Sequence, residues 1–219
     1  MSRSKYEGGR LSPGTYLDNH HMGDWSVHVT GGTVVDGGLG GGVQNLLTAT
    51  GEGDVAQLIG PLAFEVDAGV PIIFEVDVNV SVDGSNGAAV FVGFTDQNAA
   101  AEIPIEDEGG TLNTPATDAC GLMLEREQDA TWQSVSVNNG TDGAQTALTG
   151  STDFIIGTWQ RLRVQLGADG DMTVNIGQYD SNNNFEGWSV LSAGQTVSAA
   201  VATSVRLAPI ISLDGRAAV

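Results

Sequence analysis

The sequence predicts an all-β protein built from antiparallel strands, and three observations carry this prediction. Apolar and polar residues alternate in short runs along most of the 219-residue chain, which is the period of half-buried strands. Dipeptides such as Asn139-Gly140 and Asp169-Gly170 separate several of these runs, and both are strong hairpin signals. No apolar period of helical type extends over about ten residues, so we expect no long helix. This combination is typical of a sandwich or a barrel.

The clearest element is a hairpin over Trp159–Tyr179, in which Asp169-Gly170 separates two alternating runs. The alternation assigns Arg161 and Arg163 to the face that points away from the core. A shift by one residue would bury both guanidinium groups and expose the apolar set, so the register is strongly determined. The residues predicted to face the core are Leu162, Val164, Leu166, Met172, Val174 and Ile176.

Short runs of the same kind recur along the rest of the chain. The predicted strands are Trp25–Val35, Val43–Thr50, Val55–Ile59, Leu62–Val66, Ile72–Val82, Ala88–Thr95, Gly121–Glu127, Thr131–Val137, Trp159–Leu166, Met172–Tyr179, Trp188–Leu191 and Val205–Leu213. The longest loop, residues 96–119, contains several carboxylates and no Lys or Arg. A loop of this length is often functional, but its composition favours a solvated acidic excursion.

The charge of the chain excludes several classes of partner. It has 27 acidic and 8 basic residues, a net charge of −19. Nucleic acids and anionic membranes are bound through Lys and Arg, so we expect neither as a partner. Cys120 is the only cysteine, which rules out an internal disulfide, and its neighbours predict a small apolar side chain in a buried strand.

We predict two segments, an extended N-terminal arm over residues 1–22 and a single β-sandwich domain over residues 23–219. The arm is polar and carries Arg3, Lys5 and Arg10. It has no apolar stretch resembling a signal peptide, so we expect a protein made and folded in a cytoplasm. Because the chain is otherwise short of cations, these three residues are candidate partner-binding residues, and Arg161 and Arg163 are two further candidates.

No complete catalytic or metal-binding pattern is present, so we expect no enzyme activity, no catalytic residues and no metal ligands. Glu75 and Asp77 share one face of a strand, as the carboxylates of β-sandwich glucanases do, but the position of the second glutamate holds Asn79 or Val80. The adjacent pair His20 and His21 does not suit one zinc ion. We expect no cofactor, and oxygen-rich turns leave structural calcium as an alternative. The four tryptophans favour packing over sugar stacking.

The stretch from about Leu58 to Leu213 resembles the concanavalin A-like, laminin-G-like jelly-roll sandwiches. The resemblance lies in "PLAFEVDAGVPIIFEVDVNVSV", in the following "FVGFTD" and long loop, in "TWQRLRVQLGADGDMTVNIGQYD" and in "VRLAPIISL". It implies an antiparallel two-sheet jelly roll. This fold hosts lectins, glucanases and purely structural modules, so it does not by itself name a function.

A narrower resemblance is to jelly-roll proteins of tailed-bacteriophage particles, through "DACGLMLEREQDATWQSVSVNNGTDGAQTALTG" followed by "TWQRLRV". It implies a virion structural protein, with a capsid decoration protein as the main expectation. Such a protein would be assembled in the host cytoplasm, bind the major capsid protein and other virion proteins, and form a homo-oligomer on the particle. The alternative is a lectin-like, carbohydrate-binding module of a virion tail or fibre.

Overall fold

The structure is a computed structural model that describes residues 25–36, 44–48, 53–66, 70–80, 88–97, 103–107, 111–125, 131–149, 157–191 and 193–215. The predicted arm, with Arg3, Lys5 and Arg10, lies outside the described residues. Within the described residues every regular element is a β-strand, as predicted. No helix in this part of the chain is long and apolar enough to cross a membrane.

The described residues contain eighteen strands. In chain order they are β1 (Ser26–Thr30), β2 (Thr33–Asp36), β3 (Gln44–Leu47), β4 (Val55–Ile59), β5 (Phe64–Glu65), β6 (Ile72–Asn79), β7 (Ala88–Thr95), β8 (Glu106–Asp107), β9 (Leu112–Asn113), β10 (Ala119–Glu125), β11 (Gln133–Asn138), β12 (Thr141–Asp142), β13 (Thr146–Ala147), β14 (Trp159–Leu166), β15 (Met172–Tyr179), β16 (Phe185–Trp188), β17 (Thr196–Val197) and β18 (Arg206–Gly215).

The strands form two large sheets and two small hairpins. The nine-stranded sheet has the order β1-β4-β18-β7-β10-β11-β12, with β13 also paired to β11 and β5 to β18. The five-stranded sheet has the order β16-β15-β14-β6, with β17 also paired to β15. The hairpins are β2–β3 and β8–β9, and the strand pairs within both large sheets are antiparallel. The predicted antiparallel two-sheet sandwich is therefore confirmed.

The main core lies between the two large sheets. Alternate residues of β7, β10 and β18 face alternate residues of β6, β14 and β15, and Trp132 is completely buried among them. The indole Nε1 of Trp132 donates a hydrogen bond to Oε1 of the buried Gln160, at 3.0 Å, so the largest side chain of the core keeps a polar partner. Cys120 is fully buried in this core, as predicted.

A second apolar layer covers the other face of the nine-stranded sheet. Phe91, Met123 and Val135 pack there against Ile103 and Ile105 of the long loop. The loop prediction was wrong in this respect, because the described parts of residues 96–119 contain the β8–β9 hairpin and buried apolar side chains. The acidic residues dominate the sequence pattern, but Ile103, Ile105, Ala116 and Leu112 dock the segment by burying apolar surface.

The central hairpin has the predicted register. Along β14 the even-numbered side chains are buried and the odd-numbered ones are half-buried, and the same alternation holds over most of β15. Leu162, Val164 and Leu166 lie in the main core, whereas Arg161 and Arg163 lie on the opposite face. The apolar face of this hairpin is what closes the sandwich.

Two strand predictions need correction. The predicted strand Trp25–Val35 is divided into β1 and β2 at Gly31, whose φ of +68° is a left-handed conformation that interrupts a strand. The strand predicted at Trp188–Leu191 lies at Phe185–Trp188 instead. The residues before Phe185 are all polar, so no alternation of apolar and polar residues marks the start of this strand.

Val164→Asp should prevent folding, because it places a carboxylate in the fully buried centre of the main core, at a cost of several kcal/mol. The matched control is Gln165→Asp, one residue further along the same strand on the opposite face. Circular dichroism and urea unfolding should report a folded control and an unfolded Val164→Asp variant. A cooperative transition of normal midpoint in Val164→Asp would contradict the register.

Candidate functional site

The outer face of the five-stranded sheet concentrates charged and aromatic side chains, and we call it the arginine face. Strand β6 lies beside β14, with Asp77 opposite Arg161 and Glu75 opposite Arg163. Aromatic residues from β15 and β16 complete the face on the side away from β6. Its members are Glu75, Asp77, Arg161, Arg163, Tyr179, Phe185 and Trp188.

Arg161 is held between a carboxylate and two rings. Its Nε and Nη2 donate hydrogen bonds to the two oxygens of Asp77, at 2.8 and 2.9 Å, and the hydroxyl of Tyr179 donates to the same carboxylate at 2.6 Å. The guanidinium carbon lies 4.9 Å from the ring centroid of Phe185 and 5.6 Å from that of Tyr179. The bidentate pair and the cation–π contacts together fix this side chain.

Arg163 repeats the arrangement two residues further along β14. Its guanidinium is hydrogen bonded to Glu75 and lies 4.2 Å above the ring of Trp188. The rings of Phe185 and Trp188 meet edge to face, with centroids 5.3 Å apart, and Phe185 also meets Tyr179 at 5.7 Å. The aromatic side chains therefore support one another as well as the two arginines.

These contacts shift the protonation equilibria of the face. Partial burial raises the pKa of Asp77, but the hydrogen bonds from Arg161 and Tyr179 outweigh it, and the pKa lies below its ordinary value. Burial and the hydrogen bond to Asp77 raise the pKa of Tyr179 to about 12. The hydrogen bond to Asp77 likewise raises the pKa of Arg161. At neutral pH Asp77 and Arg161 therefore form a fixed charge pair.

A glycine allows the rings to reach the arginines. Gly177 lies on β15 directly opposite both Arg161 and Trp188. A Cβ at this position would come within 2.4 Å of the Phe185 ring, so a side chain here would force that ring to move.

The arginine face assigns new roles to several residues singled out in the sequence. Glu75 and Asp77 share a strand face, as predicted. Each carboxylate binds an arginine, so the two do not form the catalytic carboxylate pair of a glucanase. Trp188, a candidate for sugar stacking, has Arg163 over its ring. Trp132 is a core residue and Trp25 packs near Phe74, with ring centroids 6.0 Å apart. Partner binding by Arg161 and Arg163 stays a prediction.

A separate groove of about 680 Å³ lies where the edges of the two large sheets meet, and we call it the seam groove. One wall comes from β11 to β13, and the other from residues 196–199, which begin with β17. The polar residues that line it are Ser136, Asn138, Asn139, Thr141, Asp142, Thr146, Thr196 and Ser198. Sequence patterns did not reveal this groove, since its walls are about 60 residues apart.

Hydrogen bonds from both sheets hold the second wall in place. The N–H of Ala199 donates to Oδ1 of Asp171, in the turn between β14 and β15, at 2.7 Å. Its carbonyl accepts from Nδ2 of Asn138, on β11, at 2.7 Å. The N–H of Ala202 donates to Oδ1 of the buried Asp118, also at 2.7 Å. Hydrogen bonds to both sheets therefore anchor this wall at Ala199, and a third anchors the chain just beyond it.

Two residues of the groove adopt a left-handed backbone conformation without being glycine. Asn139 has a φ of 50° and Ala199 a φ of 49°. Asn139 and Gly140 form the two-residue turn between β11 and β12, as the Asn-Gly signal predicts. Alanine, unlike asparagine or glycine, does not favour a left-handed conformation. Ala199 keeps it because its N–H and its carbonyl are both hydrogen bonded.

In one of the oxygen-rich turns, over residues 180–184, the carboxylate of Asp180 serves as an acceptor for the turn itself. Oδ1 of Asp180 accepts hydrogen bonds from the N–H groups of Asn182 and Asn184, both at 2.8 Å, and these bonds lower the pKa of Asp180. In the described part of the chain no group of three or more His, Cys, Asp or Glu side chains is arranged to hold a metal ion. The expectation of a chain without cofactor stays a prediction.

Comparison with solved structures identifies the fold. The chain is similar to a legume lectin-like domain from Entamoeba histolytica, with a TM-score of 0.51, 12% identity, and coverage of 90% of this chain and 84% of that one. The fold is that of the legume lectin-like sandwiches. A protein of unknown function from Shewanella oneidensis MR-1 is also similar, with a TM-score of 0.50, 14% identity, and coverage of 97% and 85%. No protein-family model matches the sequence, and no curated protein matches it significantly.

The lowered pKa of Asp77 makes a prediction for acid stability. A carboxylate whose pKa is lowered by folding contributes stability that is present above its unfolded pKa, near 3.8, and is lost as the pH falls through the folded value. Asp77→Asn should therefore be less stable than the wild type at pH 7, and the difference should shrink below about pH 4. Urea unfolding at pH 7, 4 and 2.5 measures it. A difference that stays constant with pH would mean that the charge of Asp77 does not contribute.

Proposed function

We propose that this protein is a carbohydrate-binding, lectin-like module and that the seam groove holds the saccharide. The observation that carries the proposal is the lining of the groove, which combines hydroxyl, amide and carboxylate groups on a fixed backbone. A volume of about 680 Å³ is in the range of small-molecule sites and accommodates a short oligosaccharide.

The lining matches the chemistry of a sugar. Each sugar hydroxyl both donates and accepts, so it is best recognised by a mixture of acceptors and donors. Asp142 offers an acceptor, and its Oδ1 is already oriented by the hydroxyl of Thr114 at 2.7 Å. Thr141, Thr196 and Ser198 are exposed toward solvent, and each supplies a hydroxyl group that can donate and accept hydrogen bonds.

The rigid walls favour binding of a flexible ligand. A site whose backbone is already ordered loses little further conformational entropy when the ligand arrives. The hydrogen bonds to Ala199 and the tight turn at Asn139 supply that order in the seam groove. The left-handed conformation of Ala199 is strained for its residue type, and strained backbone is concentrated at functional sites in proteins, which supports a role for the groove.

The arginine face is less suited to the sugar. Its guanidinium groups lie over the rings of Phe185 and Trp188, on the surface that a pyranose would need for stacking. Glu75 and Asp77 are committed to the arginines, which supports a binding protein rather than a glucanase-like enzyme.

The wider biological setting remains a prediction from sequence resemblance. The likeness to the Entamoeba domain supports the lectin-like alternative through the fold alone. The role of capsid decoration protein, the major capsid protein as partner and the virion as location stay predictions. Copies displayed on a particle would give a weak lectin the avidity that a single groove lacks.

Screening a glycan array and then measuring affinity by calorimetry tests the proposal. We expect Asp142→Asn to weaken binding of the glycan found by about tenfold or more, because a hydrogen bond to a charged group contributes about 1.5–3 kcal/mol. Glu186→Gln is the matched control, since it removes an exposed carboxylate from β16, outside the groove. Binding of no glycan, or equal loss in both variants, would contradict the proposal.

The groove should also discriminate against acidic saccharides. Asp142 is the charged residue of its lining, and the arginines of the described residues, Arg161, Arg163 and Arg206, are paired with carboxylates elsewhere. Two like charges about 4 Å apart repel by about 4 kcal/mol at an effective dielectric constant of about 20.

Polygalacturonate and its fully methyl-esterified form provide a matched pair of probes for this discrimination. In dilute salt we expect the neutral form to be bound more tightly than the acidic form. Asp142→Asn should reduce the difference between the two affinities. Tighter binding of the acidic form would show that the groove does not select by charge.

A further inference from the structure

The arginine face has a charge pattern that is complementary to itself. The carboxylates of Glu75 and Asp77 form a column on β6, and the guanidinium groups of Arg163 and Arg161 form a parallel column on β14. Each acid lies level with an arginine, and the two levels are about 7 Å apart because they are two residues apart along each strand. Rotation by 180° about an axis that runs parallel to the strands, between the columns, exchanges one column for the other.

We propose that the arginine face is a self-association surface, on which a second copy of this chain docks about that two-fold axis. The rotation places β6 of one copy over β14 of the other without changing the level of any residue. Glu75 of each copy then meets Arg163 of its partner copy, and Asp77 meets Arg161. Every charge gains a second opposite neighbour, and the contact is isologous, as in most dimers.

The hydrogen-bonding capacity of the face allows such a network. Arg161 uses its Nε and one Nη2 hydrogen on Asp77, and a guanidinium has five N–H donors. A carboxylate has about four acceptor sites, so both charged groups can bind within the chain and across the interface at once. The side chains of Arg161 and Asp77 are 33% and 37% exposed, which leaves them accessible to a second copy.

The residue types and the charge balance point to the same surface. Arg, Trp and Tyr are the residues that dominate the energy of protein interfaces. Here they are held rigid before contact, which lowers the cost of ordering them. Two copies of a chain with net charge −19 repel each other, and this face brings two of the three described arginines together.

The axis also predicts the character of the dimer. Strand β6 is at the edge of its sheet in the described residues. The charged side chains of the two copies therefore face each other only across β6 and β14, a width of two strands. Phe185 and Trp188 of each copy lie beside this contact. This contact is smaller than the standard interface of about 1,600 Å². The dimer should therefore be weak.

Sedimentation velocity of the full chain, over a range of concentrations and at about 0.15 M salt, where repulsion between the two acidic chains is screened beyond about 8 Å, tests the proposal. The wild type should show a reversible monomer–dimer equilibrium, because the charges of the two copies are complementary at the contact. The double variant with Arg161→Gln and Arg163→Gln should dimerise at least about tenfold more weakly, since each removes interface charge pairs. The control Arg206→Gln, which loses the exposed pair with Glu65 on the other sheet, should dimerise like the wild type.

A variant in which the four charges of the face are exchanged distinguishes loss of the contact from loss of folding. Glu75→Arg, Asp77→Arg, Arg161→Glu and Arg163→Glu together keep opposite charges paired within the chain. This variant should dimerise with itself but not with the wild type, because its arginines would meet wild-type arginines across the axis. Native mass spectrometry of a mixture with a tagged wild type detects mixed dimers.

A monomeric wild type, unaltered dimerisation of the double glutamine variant, or abundant mixed dimers would each overturn the proposal. Thermal unfolding of every variant, checked first, separates loss of folding from loss of contact. None of these outcomes depends on saccharide binding in the seam groove, which lies on other strands.

Discussion

The rest of this structure depends on the register of β14 between β6 and β15. Because side chains alternate, one register places Leu162, Val164 and Leu166 in the main core and both arginines outside. The pairing with β6 then sets each arginine level with a carboxylate, and the pairing with β15 brings Gly177 to the point where the rings must approach. The hydrophobic pattern that closes the sandwich therefore also assembles its charged face.

The two candidate surfaces use different devices for the same purpose, which is to fix polar groups before a partner arrives. On the arginine face, ion pairs and aromatic rings immobilise the long side chains. In the seam groove, short side chains are carried by a backbone that Asp171, Asn138 and Asp118 bind from both sheets. The seam groove therefore suits a polar small ligand, and the arginine face suits a protein surface.

Local sequence patterns predicted much of the fold and little of the site. The strands β6, β7, β14 and β15 and the Asn139-Gly140 turn are long or distinctive enough to be read directly. Two-residue strands such as β12 and β17 carry too few residues for a period, yet they form the groove. The predictions placed Asp77 and Arg161 on exposed faces, but the pairing of strands more than 80 residues apart is a tertiary property that no local pattern contains.

The central claim is that the seam groove is a saccharide site. Amide chemical-shift mapping by NMR, during titration with a glycan that binds, tests it most directly. The account predicts the largest shifts in residues 138–142 and 196–199, which form the two walls, with little change at β6 and β14. Saturable shifts centred on the arginine face, or on the apolar layer over the nine-stranded sheet, would contradict it.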